Sequence, residues 1–455
     1  MLAEGESRAV PRAQTRDLLG ELRARVEGLA HTVLDDHIKG LLLAPGETLP
    51  AGDVADRRWN LLAGDLDLPA MVVKKAELYA NIDVMAAYCR EKGVELSPHG
   101  KTTMAPQLFL RQLEAGAWGI TAATAWQVRV MREFGVPRIL MANELVDAGA
   151  ISWVLDELDA ARAGTRSHLE FLCYVDSIAG IEIVERVVAG RGTDTRLPVL
   201  VELGYSGGRT GCRSIAEAMN VAERAERSSG VVLRGVAAFE GLMPAETLAD
   251  TLAAAGAYLG DVRELVLAFN SAGLCAGQIP VVSSGGSAYF DLVADALGPR
   301  NFDFPVRTIL RSGCYVTHDE EMYELTSPLG HRPGTGRGLL RPALELWATV
   351  WSRPTAELAI VGFGKRDCPY DYRLPVPLRT RRPGADSWTN LDGTFEVLEL
   401  NDQHAFVRVP VESSLAVGDQ VVSGISHPCG AFDKWGYIPV VDDANTVTDG
   451  IFTFF

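Results

Sequence analysis

The sequence has no run of about 18 or more apolar residues, and its N-terminus, MLAEGESRAVPRAQTRDLLG, lacks the apolar core of a signal peptide. Positive charge is also scarce, since 43 Lys and Arg residues stand against 59 Asp and Glu residues, a net charge of −16. An acidic surface of this kind disfavours polyanions. We therefore expect neither nucleic acid nor a membrane as a partner.

Paired cysteines and nucleotide motifs are missing as well. The seven cysteines are odd in number and scattered along the chain, which is typical of reduced thiols. There is no Walker motif, and no G-x-G-x-x-G follows a predicted strand, which disfavours nucleotide binding. These absences together predict a cytoplasmic protein without disulfides.

What the sequence does contain is a repeated alternation of strands and helices. Its 455 residues, 47% hydrophobic and 22% charged, predict a soluble protein with more than one domain. Short apolar runs such as RILMANEL, LEFLCYV and LPVLVELG alternate with Ala-rich amphipathic segments. About eight such units over roughly 250 residues predict an α/β fold with a (β/α)8 TIM-type barrel.

The pattern changes near Met322, where Pro and Arg become frequent and short alternating strands replace the helical periods. This predicts an antiparallel β domain. We therefore expect three regions: an N-terminal helical extension at 1–67, with a helical pattern from 16 to 42, that partly packs on the β domain; a barrel at 68–325; and the β domain at 326–455.

The segment LSPHGKTTMAP contains a candidate nucleophile. If residues 94–101 form a strand, His99 and Lys101 point to the same face. Burying an ammonium is costly, and an amine held near neutrality can form a Schiff base with a carbonyl group. The alternative is a solvated lysine at a strand end.

The segment PVVSSGGSAYF contains a candidate anion site at Ser284, Gly285, Gly286 and Ser287, after a late barrel strand. Consecutive main-chain N–H groups and serine hydroxyls can bind a phosphate, and barrels often have a phosphate site in this position. An ordinary glycine-rich turn is the alternative. Two arginines at strand ends, Arg209 and Arg311, could pair with a carboxylate or face a heteroaromatic nitrogen, or could be surface charges.

The segment SGISHPCGAFDKWGY contains a candidate metal site. His427 and Cys429 are two residues apart on a predicted extended segment, so both can reach one ion. An imidazole with a thiolate suits zinc, and a site with so few ligands stays open to substrate. His404 could be a third group. A packed cysteine beside a histidine at a bend is the alternative.

Taken together, PHGKTT, ANELV, FEGL, the S-G-G-S loop, R-S-G-C-Y and H-P-C resemble fold-type III pyridoxal-phosphate enzymes. The resemblance is to the D-serine dehydratase and D-threonine aldolase branch of the alanine racemase-like proteins, from about Leu68 to the C-terminus. It implies that Lys101 binds the cofactor covalently and that the loop 284–287 holds its phosphate. It also implies that Tyr315 lines the site and that His427 and Cys429 bind the metal.

The same resemblance implies a small-molecule amino-acid substrate and a homodimer with its active site at the interface. The aldolases place aspartate where Cys429 stands, which favours a zinc-dependent dehydratase that releases a keto acid and ammonia. Retro-aldol cleavage is the second reading. A metal-free racemase is the third, since Arg311 resembles the racemase arginine that faces the pyridine nitrogen. A non-catalytic cofactor-binding protein is the fourth.

Overall fold

The computed structural model describes residues 18–455 except residues 244 and 386. In the described part of the N-terminal segment, α1 (Gly20–Gly28) is followed by a short antiparallel hairpin of β1 (Val33–Asp35) and β2 (Thr48–Pro50). The helical pattern predicted for 16–42 therefore ends well before residue 42. Residues 1–17 of the predicted extension lie outside the described residues.

A strand and a helix lead into the barrel: β3 (Ala70–Lys74) and α2 (Lys75–Lys92). Eight parallel strands follow, namely β4 (Glu95–Leu96), β5 (Ile120–Ala122), β6 (Arg138–Glu144), β7 (Glu170–Val175), β8 (Leu197–Glu202), β9 (Val231–Ala237), β10 (Val281–Ser283) and β11 (Arg307–Leu310). Their order in the sheet is β4–β11–β10–β9–β8–β7–β6–β5. A parallel bridge between His99 and Thr121 joins the two ends of this order, so the sheet closes and the predicted barrel is confirmed.

The barrel strands bury both of their faces, which is why they read as continuous apolar runs. Leu140, Leu172 and Leu200 pack together in the barrel interior. Their neighbours Ile139 and Phe171 point outward into the layer beneath the helices. Successive side chains of a strand alternate between faces, so one apolar run supplies both layers.

The barrel helices are α3 (Pro106–Glu114), α4 (Ala125–Glu133), α5 (Ala148–Arg162), α6 (Ile178–Ala189), α7 (Ile215–Glu226), α8 (Leu248–Ser271) and α9 (Phe290–Leu297), and a short α10 (Met322–Thr326) follows β11. Five of them begin at a side chain that accepts a hydrogen bond from the first turn: Thr124, Asp147, Ser177, Ser214 and Thr247. Such caps satisfy main-chain donors that a helix leaves unpaired. Each cap sets where a barrel loop ends.

The C-terminal domain is built from β12 (Leu344–Thr355), β13 (Leu358–Val361), β14 (Val376–Arg381), β15 (Thr389–Asn390), β16 (Glu396–Leu400), β17 (Ala405–Arg408), β18 (Gln420–Gly424), β19 (Tyr437–Val441) and β20 (Val447–Phe452). Seven of these strands pair in the order β15–β14–β18–β12–β13–β17–β16. Their pairings with one another are antiparallel, as the sequence predicts.

Strand β3 belongs to this β domain and not to the barrel, although the sequence analysis included it in the barrel predicted for residues 68–325. It runs antiparallel to β12, with Val73 opposite Leu344, and parallel to β19, with Val73 opposite Val440. An apolar run buried on both faces looks the same in either sheet, so the local pattern does not distinguish them. The barrel therefore begins at β4.

The segment between α1 and β3 packs on the β domain. Leu34, Leu49 and Val54 are buried in one cluster with Trp347 and Val422. Among the described residues, no helix combines the length and apolar character needed to cross a lipid bilayer.

Candidate active site

The candidate site lies where the carboxyl ends of the barrel strands meet the β domain. Lys101 lies in a short 3-10 turn, Gly100–Thr102, after β4. Cys429 lies in a similar turn, Pro428–Gly430, after β18. The two turns meet, because the Thr102 hydroxyl is 3.9 Å from the Cys429 sulfur. The predicted lysine and the predicted metal ligands are therefore neighbours.

Lys101 follows a strand much shorter than the one predicted for 94–101. Gly100 allows the turn, since a Cβ there would lie 2.5 Å from the Met131 methyl and 2.8 Å from an Ile120 methyl. Lys101 is partly buried, and among the described residues its ammonium makes no hydrogen bond or ion pair. An amine in this setting is available to a ligand.

His99 lies beside this amine and is electrically neutral near neutral pH. Burial, and then the nearby Lys101 and Arg311 cations, lower the pKa of His99 well below its ordinary value. Its Nδ1 is buried without a partner among the described residues. A ligand in the barrel mouth can therefore supply that partner.

The serine-glycine loop is already engaged by a carboxylate that the sequence analysis did not single out. The fully buried Glu240 accepts hydrogen bonds from the Ser284 hydroxyl at 2.8 Å and from the N–H groups of Gly285 and Gly286 at 3.0 Å each. Those three donors were predicted to bind phosphate. Glu240 instead fixes the loop conformation, with Gly285 at a φ of +98°.

The free donors lie slightly further along the chain, at the start of α9. Among the described residues, the N–H groups of Ser287, Ala288 and Tyr289 donate no hydrogen bond. They precede the N-terminus of an eight-residue helix, where main-chain N–H groups and the helix dipole favour an anion. Of the predicted phosphate-binding residues, Ser287 is the one with an unused main-chain donor.

The two predicted arginines occupy different environments. Arg311 is buried and donates to the Ser283 hydroxyl at 2.8 Å and to the Ala238 carbonyl at 2.6 Å. Arg209 is exposed, with its guanidinium 4.7 Å from the Phe239 ring centre. Arg311 is thus held rigidly below the barrel mouth, whereas Arg209 lies at its rim.

The predicted metal ligands His427 and Cys429 come together with a third group, Cys314. The ligand atoms of the three side chains all lie within 4.8 Å of one another, and the sulfurs of Cys314 and Cys429 are 3.2 Å apart. His404, considered earlier as a third group, is exposed and packs against Trp351 instead.

Tyr315 points away from this cluster. Its hydroxyl is buried and accepts a hydrogen bond from the Gln112 amide at 3.0 Å. The neighbouring residue, Cys314, is the one that faces the site. The RSGCY segment therefore contributes a thiol to the site, where the sequence predicted a tyrosine.

The interactions within the cluster favour a thiolate on Cys429 that accepts a hydrogen bond from the Cys314 thiol. The hydrogen bond with Cys429, together with burial, raises the pKa of Cys314, whereas the same hydrogen bond and the Lys101 cation lower the pKa of Cys429. Burial lowers the pKa of His427, but the Cys314 thiol and the Asp371 carboxylate raise it overall to about 9. These groups hold a proton that a metal ion would displace.

Two further carboxyl groups at the barrel mouth were not identified from the sequence. Glu144 ends β6 and Glu202 ends β8, and each has a buried oxygen without a hydrogen-bond partner among the described residues. Their position at the carboxyl ends of barrel strands is the signal that could have identified them. Burial, followed by the charge of Glu202, raises the pKa of Glu144 from its ordinary 4.5 to about 8.

This shift predicts a pH dependence of stability. The folded protein keeps a proton on Glu144 that the unfolded chain releases above pH 4.5, so stability falls as the pH rises towards 8. The melting temperature of the native protein should therefore fall more steeply between about pH 5 and pH 8 than that of Glu144→Gln. The exposed variant Glu357→Gln is the control and should follow the native curve. Parallel curves for the native protein and Glu144→Gln would contradict the raised pKa.

The sequence of this chain is similar to those of known proteins. A family model described as "Putative serine dehydratase domain" matches residues 343–441, within the β domain. The chain is 26% identical over 353 residues to a D-threonine aldolase from Arthrobacter sp., which covers 76% of this chain and 80% of that protein.

Solved structures share the fold. D-threonine aldolase from Filomicrobium marinum matches with a TM-score of 0.70 and 23% identity over 86% of this chain and 95% of its own. D-threo-3-hydroxyaspartate dehydratase from Delftia sp. HT23 matches with a TM-score of 0.65 and 21% identity over 87% of this chain and 99% of its own. Alanine racemase-like structures match as well, so the predicted fold is confirmed. The chain therefore has the fold of the alanine racemase-like proteins, and its sequence is similar to that of a D-threonine aldolase and, within the β domain, to the serine dehydratase domain.

Proposed function

We propose that this protein is a pyridoxal phosphate- and zinc-dependent lyase that eliminates water from β-hydroxy D-amino acids and releases a keto acid and ammonia. The observation that carries the proposal is the cluster of Cys314, His427 and Cys429 beside the unpaired amine of Lys101. A nucleophilic amine and a soft metal site at one barrel mouth suit a substrate with both an amino group and a hydroxyl group.

The residues present fit pyridoxal phosphate. The unpaired Lys101 amine suits its aldehyde, and the N–H groups of Ser287 to Tyr289 suit its phosphate. The His99 Nδ1 and the Tyr174 hydroxyl lie buried in the barrel without a partner among the described residues, and they suit polar atoms of a ring. When bound, this cofactor accepts the electron pair released at the substrate α-carbon.

The residues present also fit zinc. Two sulfurs and one imidazole form a borderline-soft donor set, and the His427 Nδ1 lies 2.8 Å from the Asp371 carboxylate. A carboxylate that holds one ring nitrogen leaves the other free for a metal. Zinc in this position would supply Lewis-acid assistance to loss of the substrate hydroxyl group.

The chain's own residues then have separate tasks. Lys101 would hold the cofactor through its Nζ, and the same amine, when free, would take the α-proton. Arg311 keeps its guanidinium fixed below the site, because its hydrogen bonds to the Ser283 hydroxyl and the Ala238 carbonyl hold it there. Neutral His99 can accept or donate one hydrogen bond without adding charge. We further propose a homodimer with the active site at its interface, by analogy with the fold.

Retro-aldol cleavage is the second candidate, and the similarity to D-threonine aldolases over most of the chain favours it. The same metal would hold the substrate's β-oxygen, but that oxygen would lose its proton and the bond between the α- and β-carbons would break. The products are then glycine and an aldehyde. The two reactions therefore differ in which bond of the β-carbon breaks.

Product analysis separates these reactions. Purified protein loaded with pyridoxal phosphate and zinc is incubated with D-serine, D-threonine and D-threo-3-hydroxyaspartate, before and after chelation. We expect a keto acid and ammonia in equal amounts, lost on chelation and restored by zinc. Formation of glycine and an aldehyde instead would show that the protein is an aldolase and not a dehydratase. Inversion of alanine or serine that survives chelation would overturn both and identify a racemase.

A further inference from the structure

Cys314 belongs to the barrel, whereas His427 and Cys429 belong to the β domain. Cys314 follows β11, and its main-chain N–H donates to the Ser287 hydroxyl at 3.2 Å. The preceding Gly313 is closely packed, since a Cβ there would lie 2.7 Å from the His99 carbonyl oxygen. The position of the Cys314 thiol is therefore set by the barrel itself, on the same turn that borders Lys101.

The surroundings of the two sulfurs suit a metal ion better than a chance contact in an apolar core. The Thr102 hydroxyl lies 3.9 Å from each sulfur, so a polar group borders both thiols. Both cysteines are free in the structure. His427 has its Nδ1 engaged by Asp371, so its Nε2 is available on the side of the ring that faces away from that carboxylate.

We propose that Cys314 is a third protein ligand of the zinc ion, which is then held by two thiolates and one imidazole from both domains. This inference rests on the proposed zinc dependence but concerns the composition of the site and not the reaction. Three protein ligands leave one position of a tetrahedral ion open, the arrangement of catalytic zinc sites. That position would take the substrate's β-oxygen. Two thiolates also select zinc over magnesium or manganese, which prefer oxygen ligands.

X-ray absorption at the zinc edge tests this on the complete, cofactor-loaded and reduced protein. We expect two sulfur neighbours at about 2.3 Å in the native protein and one in Cys314→Ser. Zinc affinity, measured against a chromophoric chelator, should fall in Cys314→Ser. Loss of a residue that only supports a metal ligand lowers the affinity roughly 10- to 100-fold, and loss of a ligand should lower it at least as much. Cys275→Ser removes another buried thiol and should change neither value.

The spectrum of the native protein alone can overturn the inference. The test therefore remains decisive even if Cys314→Ser does not fold. One sulfur neighbour in the native protein, or an unchanged affinity in Cys314→Ser, would show that Cys314 is not a ligand. A disulfide between Cys314 and Cys429 in the zinc-loaded protein, found by mass spectrometry, would do the same. Two sulfur neighbours of zinc in a protein that forms neither keto acid nor aldehyde would support Cys314 as a ligand and overturn the proposed lyase activity. One sulfur neighbour in a protein with lyase activity would support the proposed function and overturn the assignment of Cys314.

Discussion

Lys101→Ala should lower turnover by about 10⁴-fold or more and remove the visible absorption of covalently bound cofactor. The proposed reaction uses this amine twice, first to bind the cofactor aldehyde and then to take the α-proton. The amine makes no hydrogen bond or ion pair with the described residues, so its loss leaves no gap in the hydrogen bonding of the fold. Absorption spectra and single-turnover rates with D-serine measure the two effects.

Lys92→Ala is the matched control. Lys92 is the last residue of α2, and its ammonium pairs with the Asp295 carboxylate at 2.7 Å, whereas the Lys101 ammonium has no such pair among the described residues. This variant should keep the absorption and the rate of the native protein. Added methylamine should partly restore proton transfer in Lys101→Ala but leave Lys92→Ala unchanged. Native absorption in Lys101→Ala would identify another lysine as the cofactor ligand.

His427→Ala should lose zinc and lower keto acid formation by about 10³-fold, the equivalent of about 4 kcal/mol of Lewis-acid stabilisation. Hydroxide is a poor leaving group at neutral pH, so the metal's charge at the β-oxygen is the larger part of the expected effect. The cofactor absorption should remain, because Lys101 is unchanged. Metal analysis, absorption and keto acid assays on the same sample separate these effects.

His404→Ala is the control for this variant. Both histidines lie in the β domain, but His404 is exposed and makes an edge-to-face contact with Trp351, whereas the His427 ring is largely buried beside the two thiols. We expect full zinc content and activity in His404→Ala. Keto acid formation at the native rate by zinc-free His427→Ala would rule out a catalytic metal.

The fold was predictable where burial repeats along the chain. Strands buried on both faces and helices with side-chain caps produce sequence patterns that can be identified locally. The barrel predicted from these patterns is confirmed. Strand β3 was assigned to the wrong sheet, because its run Ala70–Lys74 is equally apolar in either one. Its partners lie about 270 residues or more further on, at β12 and β19. The local sequence of a buried strand does not indicate which other strand it pairs with.

The candidate site divides in the same way. Lys101, Ser287, His427 and Cys429 lie in short motifs whose residue types suggest their chemistry, so the sequence alone was enough to propose them as site residues. Glu240 was missed, because a single carboxylate shortly after an apolar strand forms no sequence motif from which its hydrogen-bond partners could be predicted. Only the folded barrel places it 3.0 Å from the N–H groups of Gly285 and Gly286.

By itself the sequence determined the class of fold, the order of the two domains and the residue types available for chemistry, because these depend on local periodicity and on side-chain identity. The tertiary structure decided which residues share a site. Cys314 and Cys429 are 115 positions apart in the chain, yet their sulfurs are 3.2 Å apart. That distance arises because the carboxyl end of β11 and the turn after β18 meet at one seam between barrel and β domain, and such a meeting is a property of packing that no single segment encodes.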